Sequence, residues 1–551
     1  MKRFGVFFKT KDAIKLKKFL RAMKRENIEF NPEFERAWEI ISKTSKNILI
    51  TGRAGTGKST FLRFLRKNLK KNLAVIAPTG VAALNIQGQT LHSFFGFRPD
   101  ITLEKVKKMT PYEETRELYK HLNTLIIDEV SMVRADLFDC VETFLRKWGP
   151  RPGKPFGGVQ MVLIGDLYQL PPVVTSKEKE IFKYLYETPF FFSAKAFKEN
   201  SFEFVEFEKI YRQKDKKFIK ILNLIRNGSA DEEVLSLLNT RVDPNFEPPE
   251  REFYITLTTT NTRAEEINLS RLDRLKGPSF EFQGVLKGSV EEADLPAPLT
   301  LKVKESAQVM LLNNDPKGNW VNGDVGKIVK ILPKDEIIVV ELRQGKLVEV
   351  TPYKWDIFEH YFDESEGKVK TRTIGAFLQF PLKLAWAITI HKSQGLTFER
   401  VIIDLERGTF AHGQLYVALS RCTSLEGIVL KRPVKRGHIK LDRNVIKFLT
   451  SFQYALAEKQ LSLKEKVEIL KRACEEKREL EIVYLKSNDE KSWRKILPLE
   501  VSEQEFRGKS FLALRAFCFL RKEERIFNVE KILEIRRTNT TTDTKKQIEK
   551  T

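Results

Sequence analysis

Between an apolar run and a helical one, the chain reads Gly52-Arg53-Ala54-Gly55-Thr56-Gly57-Lys58-Ser59. No other stretch restricts the fold so tightly. Its glycines let backbone N–H groups curl toward one point and cradle an anion. The preceding Asn47–Ile50 has the apolar pattern of a buried strand, and Ser59–Lys67 after it has a helical one. A strand that turns through a glycine-rich loop into a helix N-terminus sets that cradle at the positive end of the helix dipole. In this context the pattern GxxxxGK[ST] is a nucleotide-phosphate loop, in which Lys58 reaches the β and γ phosphates and Ser59 can ligate magnesium.

Strand-turn-helix alternation continues beyond it. Leu73–Ala77, Leu125–Ile127 and Val159–Ile164 are apolar runs of buried, parallel-strand type. A chain of 551 residues exceeds one hydrophobic core. The pattern predicts one α/β domain over residues 31–205 and a second over 206–304 and 384–455. A small β domain is expected as an insertion at 305–383, where Pro316–Asn319 and Asn322-Gly323 punctuate short strands. From residue 462 to 537 a further, mostly-β domain is expected. It opens on the helical stripe Leu463, Val467, Leu470 and Cys474 and continues through strands Leu480–Leu485, Trp493–Val501 and Phe511–Leu520. Residues 1–30 form a basic segment, and the polar stretch 538–551 reads as a disordered tail.

Composition narrows the partners. With 97 Lys and Arg against 74 Asp and Glu, the formal charge is +23, which favours an acidic partner such as nucleic acid. A basic protein without that role stays open on charge alone. The four cysteines, Cys140, Cys422, Cys474 and Cys518, are too scattered for a disulfide framework or a zinc site. Neither a signal-peptide run nor a membrane-span length of apolar residues is seen, so a cytosolic protein, or a nuclear one in a eukaryote, is expected, with a bacterial cytoplasm as the preferred setting. Abundant Lys and Glu with scarce Cys and Met point to a thermophilic source.

Two more strand ends carry chemistry. Ile126-Ile127-Asp128-Glu129 puts two carboxylates where Asp128 can hold magnesium through water and Glu129 can polarise an attacking water. A solvated loop start is the alternative. Gly165-Asp166-Leu167-Tyr168-Gln169-Leu170-Pro171-Pro172 likewise follows an apolar strand, and Gln169 can hydrogen-bond the γ phosphate or its water.

Taken with Ala77-Pro78-Thr79-Gly80, Thr90–Phe95 and Lys154–Gln160, these stretches resemble superfamily-one helicases of the RecD-like branch, and within it the petite-integration-frequency (PIF) family. Ile210-Tyr211-Arg212-Gln213, Thr258–Asn261, Val321–Gly326, Ile390–Gly395 and Tyr416–Arg421 follow in the family's order, and the resemblance spans about residues 28–450. It implies two RecA-like parallel-sheet domains with ATP and Mg²⁺ in the cleft between them. The nucleotide would meet Gly52, Gly55, Thr56, Gly57, Lys58, Ser59, Thr60, Gln394 and Gly395. Ser59 and Asp128 would hold the metal, and Lys58, Glu129 and Gln169 would serve catalysis. Arg212 and Arg421 would be arginine fingers, whose guanidinium forks suit the charge on a transferring phosphoryl group. One departure concerns the base. Where the family carries an adenine-reading glutamine, within Phe30–Glu35, this chain has Phe34, which either stacks on the base or lies buried in its helix.

The resemblance further implies 5′-to-3′ movement on single-stranded DNA and unwinding of forked duplex by a monomer, with G-quadruplex DNA as a further candidate partner. Thr79, His92, Phe94, Thr259, Asn261, His391 and Lys392 would contact the strand; Phe94 and Phe95 are also readable as core. Residues 97–118 fall at the family's strand-separating wedge, and the insertion resembles its Src-homology-three-like barrel. The last domain resembles a WYL domain, a small Sm-like barrel, on Ile482-Val483-Tyr484, Leu497-Pro498 and Arg525-Ile526-Phe527, although the naming tripeptide is replaced near Phe511-Leu512. Arg494, Arg515 and Arg525 are its candidate contacts. Period two puts Phe511, Arg515, Phe517 and Phe519 on one face, either a base-stacking platform or core aromatics with an edge arginine. Besides a helicase, the motifs admit an ATPase that remodels protein–DNA complexes, or a nucleic-acid-binding regulator with an ATP switch.

Overall fold

A computed structural model describes residues 21–537, except 22, 27, 30, 99–100, 175–181, 183, 214, 250–251, 289–294, 364, 407 and 507. Most of the expected basic N-terminal segment, and the whole of the expected tail, lie outside the described residues. The chain divides into two compact units. One holds the described residues up to Arg226 together with Ala230–Lys440; the other holds Asn227–Ser229 and the described residues from Leu441 onward.

In the first unit, six parallel strands form one sheet: β1 (Asn47–Gly52), β2 (Leu73–Ala77), β3 (Gln89–Thr90), β4 (Thr124–Ile127), β5 (Gln160–Gly165) and β6 (Phe202–Phe207), in the order β3-β2-β4-β5-β1-β6. Strands β4 and β5 are buried throughout, which is why they read as unbroken apolar runs. The preceding helix, Pro32–Lys43, begins where Asn31 Oδ1 accepts the Glu33 and Phe34 amides at 2.8 and 3.3 Å. Its inward face packs Phe34, Ala37 and Ile41 against Ile48, Phe61 and Phe207.

After β7 (Ile255–Thr258) the chain leaves its second parallel sheet for a β-rich insertion. That insertion comprises β8 (Phe280–Gln283), β9 (Val285–Gly288), β10 (Thr300–Val303), β11 (Gln308–Leu311), β12 (Val325–Leu332), β13 (Ile337–Leu342), β14 (Leu347–Val350), β15 (Tyr353–Asp363), β16 (Lys368–Gln379) and β17 (Leu382–Leu384). The chain then returns through β18 (Ala387–Thr389), β19 (Val401–Asp404) and β20 (Ile428–Leu430), completing the order β18-β7-β19-β20. The insertion therefore starts near Phe280 rather than at residue 305. Strand β8 pairs with β10 and β9 with β16, so their backbone groups find partners in the insertion and not in the parallel sheet.

The hairpin of β15 and β16 reaches back to the first sheet. His360 is buried; its backbone N–H and its Nδ1 both meet Gln89 Oε1, at 2.8 and 2.6 Å, while Arg372 pairs with Glu114 at 2.9 Å. Burial lowers the pKa of His360 to about 3, so its ring is neutral near pH 7. Because Nδ1 donates to the Gln89 oxygen, Nε2 is left as an acceptor, and it faces the Val75 amide at 3.5 Å.

In the second unit, β21 (Leu480–Leu485), β22 (Lys491–Phe506), β23 (Lys509–Cys518), β24 (Glu523–Asn528) and β25 (Ile532–Arg537) form an antiparallel sheet in the order β24-β23-β22-β21-β25. The helix Leu463–Glu475 starts at a capping box between Ser462 and Glu465 and packs Leu470 and Ala473 on Leu480, Ile496 and Leu514. Helix Arg443–Gln460 also belongs here, although the sequence pattern assigns most of it to the second RecA-like domain. It is tied to this sheet by Tyr454, whose hydroxyl donates to the Leu485 carbonyl at 3.1 Å, and by Gln453, which donates to Asp489 at 2.7 Å.

Candidate active site

Strand β1 ends at Gly52, and the loop that follows turns directly into the helix Lys58–Asn68. Gly57 caps that helix at φ 86°, a left-handed conformation that glycine adopts without strain. Gly55 is needed for space as well as angle, since a Cβ there would lie 2.5 Å from the Cβ of Arg212. The Ile210–Gln213 stretch thus presses on the phosphate loop, and the Tyr211 amide donates to the Gly55 carbonyl at 2.8 Å. Lys58 Nζ donates to the Gly52 and Arg53 carbonyls at 2.6 and 2.9 Å.

The loop forms one wall of a cleft of about 810 Å³. Lys58, Ser59, Thr60, Glu129 and Gln169 line the first-domain side; Arg212, Gly395 and Arg421 line the other. Glu129 stands at φ 49°, a strained backbone for a residue with a Cβ, at the turn after β4. Desolvation dominates the ionisation of the groups beside the loop. It pushes Asp128 up to about 7, with the neighbouring Glu129 charge as a further cause, and raises Glu129. It lowers Lys58 against the opposing pull of Asp166, Glu129 and Asp128. Arg421, 1% exposed, falls to about 9 through burial first and the nearby Arg212 second.

Both arginines are held by carbonyls. Arg421 donates to Val417 O at 3.0 Å, Leu396 O at 3.3 Å and Ser393 O at 3.4 Å; Arg212 donates to Ser420 O and Gly395 O, each at 3.3 Å. Gln394 Nε2 meets Gln169 Oε1 at 3.4 Å across the cleft. Of the residues expected around a nucleotide, Gly55, Thr56, Gly57, Lys58, Ser59, Thr60 and Gly395 line the cleft, while Gly52 and Gln394 stand behind its lining; the constellation can hold a triphosphate, place a base beside an attacking water and set positive charge opposite it. Phe34 is buried between Phe61 and Phe207, with ring centroids at 5.0 and 4.5 Å, so it is a core residue of its helix. Its ring still lines the cleft together with Tyr211, which is 37% exposed.

The expected strand contacts fare unevenly. His92 and His391 are half-buried, and Asn261 and Lys392 are exposed. Thr79 Oγ1 accepts the Ala82 amide at 3.4 Å, a capping role for the short helix Gly80–Asn85. Thr259 is buried and donates its hydroxyl to Glu406 at 2.8 Å. Phe94, named both as a strand contact and as a core residue, stands in the core: its ring is 3% exposed and packs edge-on against Phe95, Tyr119 and His360. Sequence reasoning missed Phe410, which is 60% exposed and stacked on His391 at 6.0 Å. Its signal was a lone aromatic between Gly408 and Gly413, just ahead of the Tyr416–Arg421 motif.

In the second unit Arg515 is held by Glu500 and Glu524 at 3.0 and 3.3 Å, and Arg525 by Glu523 at 3.0 Å. Arg494 differs: its Nη1 is buried without a hydrogen-bond acceptor among the described residues. Phe517 and Phe519 meet edge-on at 5.4 Å; Lys495 lies 5.2 Å over Phe519, and the exposed Trp493 carries Arg536 at 4.9 Å.

Models of known families agree with this layout. Residues 30–235 match the PIF1-like helicase model, 384–425 the UvrD-like helicase C-terminal domain and 465–537 the WYL domain. The chain is 30% identical over 430 residues to the ATP-dependent DNA helicase Pif1 of Campylobacter jejuni, covering 73% of this chain and 94% of the relative. Pif1 from Bacteroides sp in complex with ADP-AlF4 superposes with a TM-score of 0.70 at 38% identity, over 77% of this chain and 97% of that one. Bacteroides Pif1 bound to single-stranded DNA gives 0.56 at 39% identity, over 76% and 96%. No helix among the described residues is long and apolar enough to cross a membrane. A phosphate loop facing two arginines across a cleft, in a chain that matches these relatives over nearly their whole length, identifies a member of the PIF1-like helicase family, an ATP-dependent DNA helicase.

Proposed function

We propose that ATP closes this cleft and that the closure drives the chain 5′ to 3′ along single-stranded DNA, opening forked duplex ahead of it. The observation that carries this reading is the origin of the cleft's two walls. The phosphate loop and Glu129 belong to one parallel-sheet domain, while Arg212, Gly395 and Arg421 come from the segments on either side of the other sheet's strands. A nucleotide bound between them ties their separation to its own state.

In this reading Lys58 and the loop amides hold the β and γ phosphates, Glu129 orients and deprotonates the attacking water, and Gln169 reports the γ phosphate. Arg212 and Arg421 turn from their carbonyls to the transferring phosphoryl group. A phosphate's negative charge would offset the burial that depresses Arg421. Ser59 and Asp128 would hold magnesium: both offer oxygen, as a hard divalent cation prefers, and a cation relieves the crowded Asp128 and Glu129 carboxyls. When bound, the ion neutralises charge on the phosphates. Strand contacts fall to Asn261, His391, Lys392, His92 and Thr79, with Phe410 as an added stacking surface. The helices Leu103–Lys108 and Glu113–His121, with the exposed Tyr112 between them, form the wedge. The insertion clamps the strand. We place the enzyme in the cytoplasm as a monomer, with G-quadruplex DNA among the structures to be tried.

The WYL domain is proposed to tune DNA affinity or the coupling of hydrolysis to unwinding. Its exposed Trp493 and Phe519, each beside a cation, are surfaces on which bases can stack. The test is strand displacement on duplexes with one 5′ or one 3′ tail, run with the full chain and with a chain ending at Lys440. Displacement should require the 5′ tail. The shortened chain should still hydrolyse ATP but bind single strands differently or unwind fewer base pairs per ATP. Efficient displacement from a 3′ tail alone would contradict the direction. A shortened chain equal to the full one in affinity, hydrolysis and unwinding would assign the WYL domain to another task.

A further inference from the structure

The two parallel-sheet domains also meet behind the cleft, through one tyrosine hydroxyl. Tyr416 lies on the helix Gln414–Ser420 of the second domain and is 4% exposed. Its hydroxyl oxygen accepts the Ala54 amide of the phosphate loop at 3.0 Å and donates to Asp166 Oδ2 at 3.4 Å. Asp166, fully buried at the end of β5, accepts at the same oxygen from Gln169 Nε2 at 3.0 Å. Gln169 in turn offers Oε1 to Gln394. Gln394 closes the turn that begins at His391, its amide donating to the His391 carbonyl at 3.2 Å. A continuous chain of hydrogen bonds thus runs from the phosphate loop, through Tyr416, Asp166 and Gln169, to the loop that carries His391 and Lys392.

The surroundings hold this chain in place. Arg226, 1% exposed, sets Nε 3.9 Å from Asp166 Oδ1 and lays its guanidinium 3.9 Å over the Tyr168 ring. Gly413, just before the Tyr416 helix, has no room for a side chain, since a Cβ would come 2.2 Å from the Tyr168 carbonyl. The turn after β5 is therefore clamped between Arg226 and the start of that helix. Burial and the Asp166 charge both raise the Tyr416 pKa, so the phenol keeps the one proton it donates. In such a dry site each hydrogen bond is stronger than in water, and losing one partner strands the other.

We propose that the Tyr416 hydroxyl is a positioning group that couples the nucleotide state of the phosphate loop to the strand-holding loop His391–Gln394. The proposal rests on the helicase reading above. Movement of the phosphate loop relative to the second domain must stretch or break the Ala54–Tyr416–Asp166 link. Asp166 then shifts its hold on Gln169, and Gln169 its contact with Gln394. Tyr416 touches no reacting atom; it acts through Gln169.

Tyr416→Phe tests this, because it keeps the ring and removes only the oxygen. The quantity to measure is the ratio of single-strand affinities with ADP-AlF4 and with ADP, by fluorescence anisotropy, alongside DNA-stimulated ATP turnover and the thermal midpoint. General loosening of the fold affects both nucleotide states alike and cancels in the ratio. Site-to-site couplings are commonly worth about 5- to 150-fold. The ratio should therefore fall by at least about fivefold in the variant, the low end of that range, while the chain stays folded and still hydrolyses ATP. An unchanged ratio in a folded variant overturns the proposal. If the unmodified chain shows no DNA-stimulated turnover, it is the helicase reading that fails, and the two failures are distinguishable.

Discussion

Glu129→Gln is expected to stop ATP turnover while ATP still binds, because the amide keeps the shape of the side chain but cannot take a proton from water. Loss of a general base commonly costs about a hundredfold to ten-thousandfold, and the low end of that range sets the minimum fall expected here. Lys58→Ala is expected to fail differently. It removes the cation nearest the phosphates, so nucleotide affinity falls together with turnover. Equilibrium binding of a fluorescent ATP analogue, set beside steady-state hydrolysis, separates the two. Near-normal turnover in either variant would remove the cleft from the mechanism.

The arginines give the second large effect. Arg212→Ala and Arg421→Ala should each lower turnover by about a thousandfold or more, as removal of an arginine finger does. Single-strand affinity should survive in the Arg212 variant, since that side chain hydrogen-bonds to carbonyls at the cleft and packs on the phosphate loop. Arg421 needs a second substitution, because alanine would remove three buried hydrogen bonds to carbonyls and one to Ser420 Oγ at a helix end. Arg421→Lys keeps the charge but loses the planar fork, and a comparable fall is expected from it. Thermal midpoints recorded on the same samples distinguish lost chemistry from lost fold. Normal turnover in both positions would mean that the second domain does not complete the site.

Local patterns were legible in the sequence because local physics makes them. The phosphate loop needs glycines at fixed offsets, and buried parallel strands need unbroken apolar runs, so both appear before any contact is known. The fate of Phe94 was not legible. An aromatic in a polar motif looks available to a base until Tyr119, from a helix beyond it, and His360, from the inserted hairpin, are seen to close over it. Thr259 is similar, since Glu406, far along the chain, takes its hydroxyl. The boundaries failed for the same reason. Alternating residues at 280–283 and 300–303 state that strands form, but only their pairing with each other states that they belong to the insertion. Helix Arg443–Gln460 shows an apolar face without naming the sheet that covers it. In the WYL domain, Arg515 read as an available contact because its glutamates sit on neighbouring strands, whereas Arg525 pairs with Glu523 two residues back along its own strand. The Tyr416–Asp166–Ala54 link joins three motifs that had each been read alone.

The central claim is that this cleft is an ATP motor whose turnover depends on a bound strand. The measurement that tests it most directly is steady-state ATP hydrolysis by the full chain with and without single-stranded DNA, across a salt series. Turnover should rise severalfold or more on adding the strand. The strand concentration for half-maximal stimulation should climb steeply with salt, the logarithmic slope growing by about 0.7 for each phosphate neutralised. Hydrolysis that proceeds at the same rate with and without the strand, at every salt concentration, would contradict the account.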